Sequence, residues 1–180
     1  EVNVELDLNG ELKTTYPRYE NGWNVIATPE GTLTDVEGRS YDYLFWEADL
    51  DLDPDFSKGF CVAGDDTEEF LEYALAELGL NDSEANTFIM FWLPQMQGNT
   101  YNVISFQTEE YEKASVLNVY PIPDSEIRVF MTYYSLPYKI SIEPQDFESL
   151  GNTQRTGFTL VEWGGTEVSS VNGEINRITK

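Results

Sequence analysis

The sequence contains no histidine. That absence removes Ser-His-Asp and Cys-His activation of a nucleophile, histidine-ligated zinc and imidazole proton transfer. A single cysteine, Cys61, cannot close an internal disulfide. Its apolar neighbours Phe60 and Val62 mark it as a buried thiol, since a reactive one needs an electropositive setting. Having no disulfide leaves the compartment open. Basic residues are scarce, 10 Lys and Arg against 33 Asp and Glu, for a net charge of −23. Such a surface repels phosphate backbones and anionic lipid, which argues against nucleic-acid and membrane-surface roles. It leaves cations, cationic polymers and neutral glycans as partners. No apolar run approaches the ~20 residues of a membrane helix, and there is no internal repeat or low-complexity tract.

What is present is a chain of one domain's length, 180 residues, 41% hydrophobic and 14% aromatic. A chain of this size buries about 70% of its unfolded surface and needs no metal to fold. It begins at Glu1, as a processed or trimmed chain does.

The stretch from Tyr41 to Asp55 organises the rest. Read as a strand, it places Leu44, Trp46, Ala48, Leu50 and Leu52 on one face, which should meet the core. The other face changes from Tyr41, Tyr43 and Phe45 to Glu47, Asp49, Asp51 and Asp53, and Pro54 ends the pairing. Glu47 stands at the boundary between aromatic and acidic residues. The commoner fate of such a carboxylate is an ion pair, here with Arg18, Arg39 or Arg128. The sharper reading is a general acid in an aromatic-lined cleft, with Asp49 or Glu162 as the second carboxylate. Asp49, Asp51, Asp53 and Asp55 alternate like the opening of a calcium loop, yet position six is Pro54 and position twelve Phe60, so the EF-hand pattern fails. A calcium site of another kind would use Asp51, Asp53 and Asp55; a solvated acidic loop is the simpler account. No other cofactor is implied.

Around this stretch the chain reads as short strands joined by turns. Residues 2–8 alternate, Asn9-Gly10 signals a hairpin into 11–16, and residues 23–27 and 32–36 follow. Asp66 with Glu69 forms a capping-box pattern opening a helix with an apolar stripe at Phe70, Leu71, Ala74, Leu75 and Leu78, stopped by Gly79. Asn81 or Asp82 caps a second helix carrying Ala85, Phe88, Ile89 and Trp92, with Pro94 ending it or lying in the turn just beyond. These helices form a hairpin, residues 66–93, inserted in a single domain 1–180. Strands return at 101–106, 116–121 and 127–134, the last two joined by a hairpin-like loop at 123–125. Residues 149–156 read as an exposed loop before a C-terminal hairpin turning at Gly164-Gly165. The expected fold is α+β, mainly antiparallel β and β-sandwich-like, with the helical hairpin packed on one face.

Tyr16-Pro17, Gly22-Trp23, Val25, Ala27, Pro29, Gly31, Leu33 and Tyr43-Leu44-Phe45-Trp46-Glu47 carry a resemblance. It continues in Phe91-Trp92-Leu93-Pro94, Arg128-Val129-Phe130-Met131, Gly157-Phe158-Thr159 and residues 161–167, and so covers nearly the whole chain. This spacing resembles a family of uncharacterised bacterial and fungal proteins whose members usually carry a Lys-Pro-Val-Ile-Tyr-Leu-Tyr-Pro segment, which would lie upstream of Glu1. The resemblance implies an extracellular or cell-envelope location and supplies no catalytic residues.

Three functions follow as expectations. The first is a secreted or cell-surface, non-catalytic binding or structural module with a glycan or protein ligand. The second is a carboxylate-based glycan hydrolase, and the third a calcium-dependent adhesion module. For a glycan ligand the candidates are Trp46, Trp92, Gln95, Gln97 and Tyr101, because a ring stacks on an apolar sugar face while amides bond its hydroxyls. Trp92 also lies on the helix's apolar stripe, where a core tryptophan is the simpler account.

Overall fold

The computed structural model describes residues 1–151, 154–171 and 174–178, with side chains through Val168. Twelve strands are described: β1 (Val2–Leu8), β2 (Gly10–Tyr16), β3 (Trp23–Ala27), β4 (Leu33–Thr34), β5 (Ser40–Tyr41), β6 (Phe45–Leu50), β7 (Phe60–Ala63), β8 (Tyr101–Phe106), β9 (Ser115–Tyr120), β10 (Ser125–Leu136), β11 (Thr159–Val171) and β12 (Glu174–Ile178). The helices are α1 (Thr67–Glu77), α2 (Asp82–Met96) and α3 (Glu109–Ala114). Two five-stranded sheets, ordered β5-β4-β3-β1-β9 and β12-β11-β10-β8-β7, accompany a two-stranded ribbon of β2 and β6. The fold is α+β and mainly antiparallel. Among the named strand pairs only β10 and β11 run parallel, and the long 137–158 connection supplies the crossover that parallel pairing requires.

The helical hairpin packs on one face of the second sheet. Leu71, Ala74, Leu75 and Leu78 of α1 and Phe88, Trp92 and Met96 of α2 meet Ile104 and Phe106 of β8 and Ile127, Val129, Met131 and Tyr133 of β10. The alternate β10 side chains face the other way: Phe130 joins Tyr111 and Ala114 of α3 and Ala48, Leu50 and Leu52 in a second cluster. Each such large apolar side chain contributes roughly 1.5–3 kcal/mol by its burial. The sheet is thus covered on both sides, by α1 and α2 on one and by β6, the residue Leu52 beyond it and α3 on the other.

Several local expectations are corrected by long-range pairing. Asn9-Gly10 makes no hairpin, because β1 pairs with β3 and β9 while β2 pairs with β6. Asn9 instead bonds outward through its backbone, to Ala114 and Asp51, each at 2.8 Å. The loop at 123–125 joins strands of different sheets and is no hairpin either. The Tyr41 stretch is split: β5 pairs with β4, residues 42–44 are unpaired, and β6 pairs with β2. Its predicted inward face holds nonetheless, with Ala48, Leu50 and Leu52 buried.

Gly164-Gly165 is no turn but the middle of β11. A Cβ on Gly165 would stand 2.9 Å from the Trp92 ring, so the missing side chain is what lets α2 close on the sheet. Residues 172–173, between β11 and β12, lie outside the described residues, as do 152–153 in the expected exposed loop. Overlapping the start of that loop, residues 147–150 form a 3-10 turn, with Phe147 just before the loop buried in the core.

At the helix ends one reading fails and one holds. Asp66 has already adopted helical backbone angles, following a 3-10 turn at residues 64–66, and makes no capping bond. Asn81 has an extended backbone and a full capping box with Glu84, its Oδ1 accepting from the Glu84 N–H at 3.0 Å. The helix α2 runs two residues past Pro94, held there by the burial of Met96.

Candidate ligand-binding face

The alternation in the first strand determines the site. Val4 of β1 is buried, and Asn3, Glu5 and Asp7 point the other way. Trp23 and Val25 of β3 are buried, leaving Asn24 and Ile26 outward. On β9, Leu117 and Val119 are half-buried while Val116, Asn118 and Tyr120 are exposed. The register lines these outward residues up across the sheet: Asn24 opposite Asn3, Asn3 opposite Tyr120, and Glu5 opposite Asn118. With strands about 4.8 Å apart, Asn24, Asn3 and Tyr120 form a row about 10 Å long. Asn3 Nδ2 donates to Asn24 Oδ1 at 3.1 Å, which fixes both amides in one orientation. Tyr120 is 75% exposed and Ile122 81%. A shallow groove runs beside them, with Glu5 and Glu126 in its walls. A ring face, three amides and two carboxylates therefore share one open surface. The arrangement offers stacking and a set of donors and acceptors suited to hydroxyl groups.

The residues expected from sequence are not brought together. Trp92, 2% exposed, sits in the core beside Phe88, Phe91 and Tyr133 and offers no face to a ligand. Trp46 packs half-buried against the Ala48–Leu50 cluster. Gln95 is exposed on α2 and donates to the Phe91 carbonyl at 2.9 Å; Gln97 is the exposed C-cap of the same helix. Tyr101 lies half-buried at the start of β8, in a separate groove beside α1 that also contains Cys61 and Lys139.

The carboxylates proposed for chemistry are held elsewhere. Glu47 is half-buried on β6 and forms no ion pair among the described residues. Of its three expected partners, Arg128 is bonded to Glu162 at 2.7 Å and Arg39 lies over the rings of Tyr16 and Tyr41. Glu162 also accepts from the Tyr111 hydroxyl at 2.9 Å, and Asp49 is paired with Lys13 at 2.9 Å. Arg128 extends the cluster by donating to the carbonyl and hydroxyl of Ser115 at 2.8 and 2.9 Å. Burial, reinforced by the Glu162 charge, pushes the Tyr111 phenol well above its ordinary range, so it stays protonated as the donor.

Nor does the aspartate ladder converge. The Asp55 carboxylate accepts from the Ser57 N–H at 2.7 Å and its hydroxyl at 2.8 Å, bonds that hold it below the usual carboxylate range. Its backbone is clamped by the buried Gln107, which accepts from the Asp55 N–H and donates to its carbonyl, both at 3.0 Å. Among the described residues no three acids or cysteines are grouped to hold a metal ion around Asp51, Asp53 and Asp55 or elsewhere. No described helix is long and apolar enough to cross a membrane.

The outward row was missed because its members come from strands far apart in sequence. The alternation at 2–8 was legible, and so was Leu117-Asn118-Val119-Tyr120. The adjacency of β3, β1 and β9 was not.

Among curated proteins the chain is similar to an uncharacterized protein in the bglA 3′ region of Butyrivibrio fibrisolvens, with 47% identity over 51 residues. That match covers 27% of this chain and 52% of the relative, so the chain spans about half the length of the curated protein it matches. No family model matches the chain, and no solved structure does.

Proposed function

We propose that the protein is a non-catalytic binding module of the cell exterior or envelope whose ligand is a neutral glycan, held on the outward face of β3, β1 and β9. The observation that carries this reading is the cross-strand row Asn24–Asn3–Tyr120, with Asn118 beside it. Tyr120 supplies the stacking ring and the amides supply paired donors and acceptors. The Asn3 and Asn24 amides are oriented by their mutual bond before any ligand arrives, which lowers the ordering cost of binding. The Glu5 and Glu126 carboxylates beside the row favour an uncharged ligand at this face over an anionic one. Glu162 and Asp49 are committed to Arg128 and Lys13, which weakens the reading of either as an acid–base partner of Glu47. The extracellular location is supported by the family resemblance carried by Tyr43 to Glu47 and residues 157–167.

A glycan array probed with the wild-type chain and with Tyr120→Ala and Asn118→Ala tests the reading. Binding to neutral glycans that weakens at least tenfold in both variants is expected. Binding unchanged in both variants, or none at all, would refute it. Release of new reducing ends from a bound glycan, abolished by Glu5→Gln, would replace the binding module with a hydrolase.

A further inference from the structure

Among the described cations without an ion pair, which are Arg18, Arg39 and Lys139, Arg39 is the one placed over two aromatic rings. Lys13, Lys58, Lys113, Arg128 and Arg155 each pair with a carboxylate. Arg39 forms no ion pair among the described residues despite the large excess of acids, and its guanidinium lies 5.9 Å from the Tyr16 ring centre and 5.7 Å from that of Tyr41. The nearby acid, Asp35, makes no salt bridge to it and turns its oxygens to other donors. Oδ1 accepts from the backbone N–H groups of Glu37 and Arg39, both at 2.9 Å, and Oδ2 accepts from the Tyr41 hydroxyl at 2.8 Å. Those bonds, with the Asp35–Arg39 backbone bond at 3.0 Å, fix the loop from which Arg39 projects. Tyr16 meets Tyr41 edge to face at 5.7 Å and stands directly opposite Phe45 on the β2–β6 ribbon. Tyr16 is 52% exposed and Phe45 42%.

Arg39 is exposed and its guanidinium makes no ion pair among the described residues, and a planar guanidinium fork matches a carboxylate with two parallel bonds. We propose that this corner is a second binding site, for a ligand that carries a carboxylate next to a ring. The carboxylate bonds to Arg39, and the ring lies on Tyr16 and Phe45. The overall negative charge does not forbid it, since at physiological ionic strength exposed charges beyond about 8 Å are largely screened, and the Arg39 guanidinium supplies the local positive charge at this corner. The ligand ring comes from a sugar acid or from an aryl acid.

Calorimetric titration with oligogalacturonate, with 4-hydroxybenzoate and with acetate separates the sources. At least one ring acid should bind at least tenfold more tightly than acetate, and the tighter of the two identifies the source. Arg39→Gln and Arg39→Lys should each weaken that binding at least tenfold, the lysine variant because it loses the planar fork. Tyr16→Leu, which keeps the cation, should weaken it as well. Neither ring acid binding, acetate binding as tightly as both, or ring-acid affinity unchanged in Arg39→Gln would overturn the proposal. None of these variants touches the Tyr120 face, so the outcome here is independent of the neutral-glycan test.

Discussion

Arg128 and Glu162 stand directly opposite each other across the parallel β10–β11 pair, with Arg128 Nε 2.7 Å from Glu162 Oε2. Their side chains are 7% and 12% exposed, and Tyr111 and Ser115 complete their hydrogen bonding. Removing one partner leaves the other charge buried and unpaired. Glu162→Gln or Arg128→Met is therefore expected to destabilise the fold by about 3–5 kcal/mol. Urea denaturation measures this, and a loss below about 1 kcal/mol would show that the survivor finds water or another partner.

Gly165 is the second point where the parallel pair constrains the sequence. Gly165→Ala would drive a methyl group into the Trp92 ring and the Met131 carbonyl, and overpacking of that kind costs about 1–3 kcal/mol. Gly98 has open space around its Cβ position, so Gly98→Ala is the matched control. Equal melting temperatures for the two variants would mean that α2 shifts freely on the sheet.

The helix caps give an opposed pair of expectations. Asn81→Ala removes the side-chain half of the capping box, the bond its Oδ1 accepts from the Glu84 N–H, and should cost about 1 kcal/mol. Asp66→Ala removes no capping bond and should be close to neutral, although the local sequence pattern looks the same. Thermal melts of the two variants check the difference. A larger loss in Asp66→Ala would contradict the geometry.

The Tyr133 hydroxyl is buried without a hydrogen-bond partner among the described residues, and burial with the nearby Glu167 charge raises its pKa to about 12. In the unfolded chain a tyrosine titrates near 10. Between those values the folded state keeps a proton that the unfolded state releases. The contribution is thus fully present below about pH 10 and lost as the pH rises through about 12. Tyr111, also raised, acts in the same direction. Tyr133→Phe should flatten the alkaline decline and change neutral-pH stability by no more than about 1 kcal/mol, since no bond is lost. A decline equally steep in the variant would assign it to other groups.

Elements with their own periodicity were legible before any coordinates. The stripe Leu71-Ala74-Leu75-Leu78 and the inward set Ala48-Leu50-Leu52 are buried as their spacing required. The predominance of antiparallel strands followed from the many short alternating segments. The misses have one cause. Asn9-Gly10 and Gly164-Gly165 carry the local signature of a hairpin turn, and each is overridden by partners distant in sequence: β6 and β9 for the first, Trp92 for the second. Asp66 shows the same limit on a smaller scale, because the 3-10 turn before it removes the extended backbone that a capping side chain needs.

The sequence by itself determined which faces of each segment are apolar, where the helices lie, and that imidazole chemistry is absent. Period and composition are properties of neighbouring residues and need no fold to be read. The tertiary structure alone decided that Asn24, Asn3 and Tyr120 form one row, that Arg128 faces Glu162, and that Arg39 rests on two tyrosines. Strand adjacency arises from burying all the apolar faces at once, and that condition binds residues far apart in the chain.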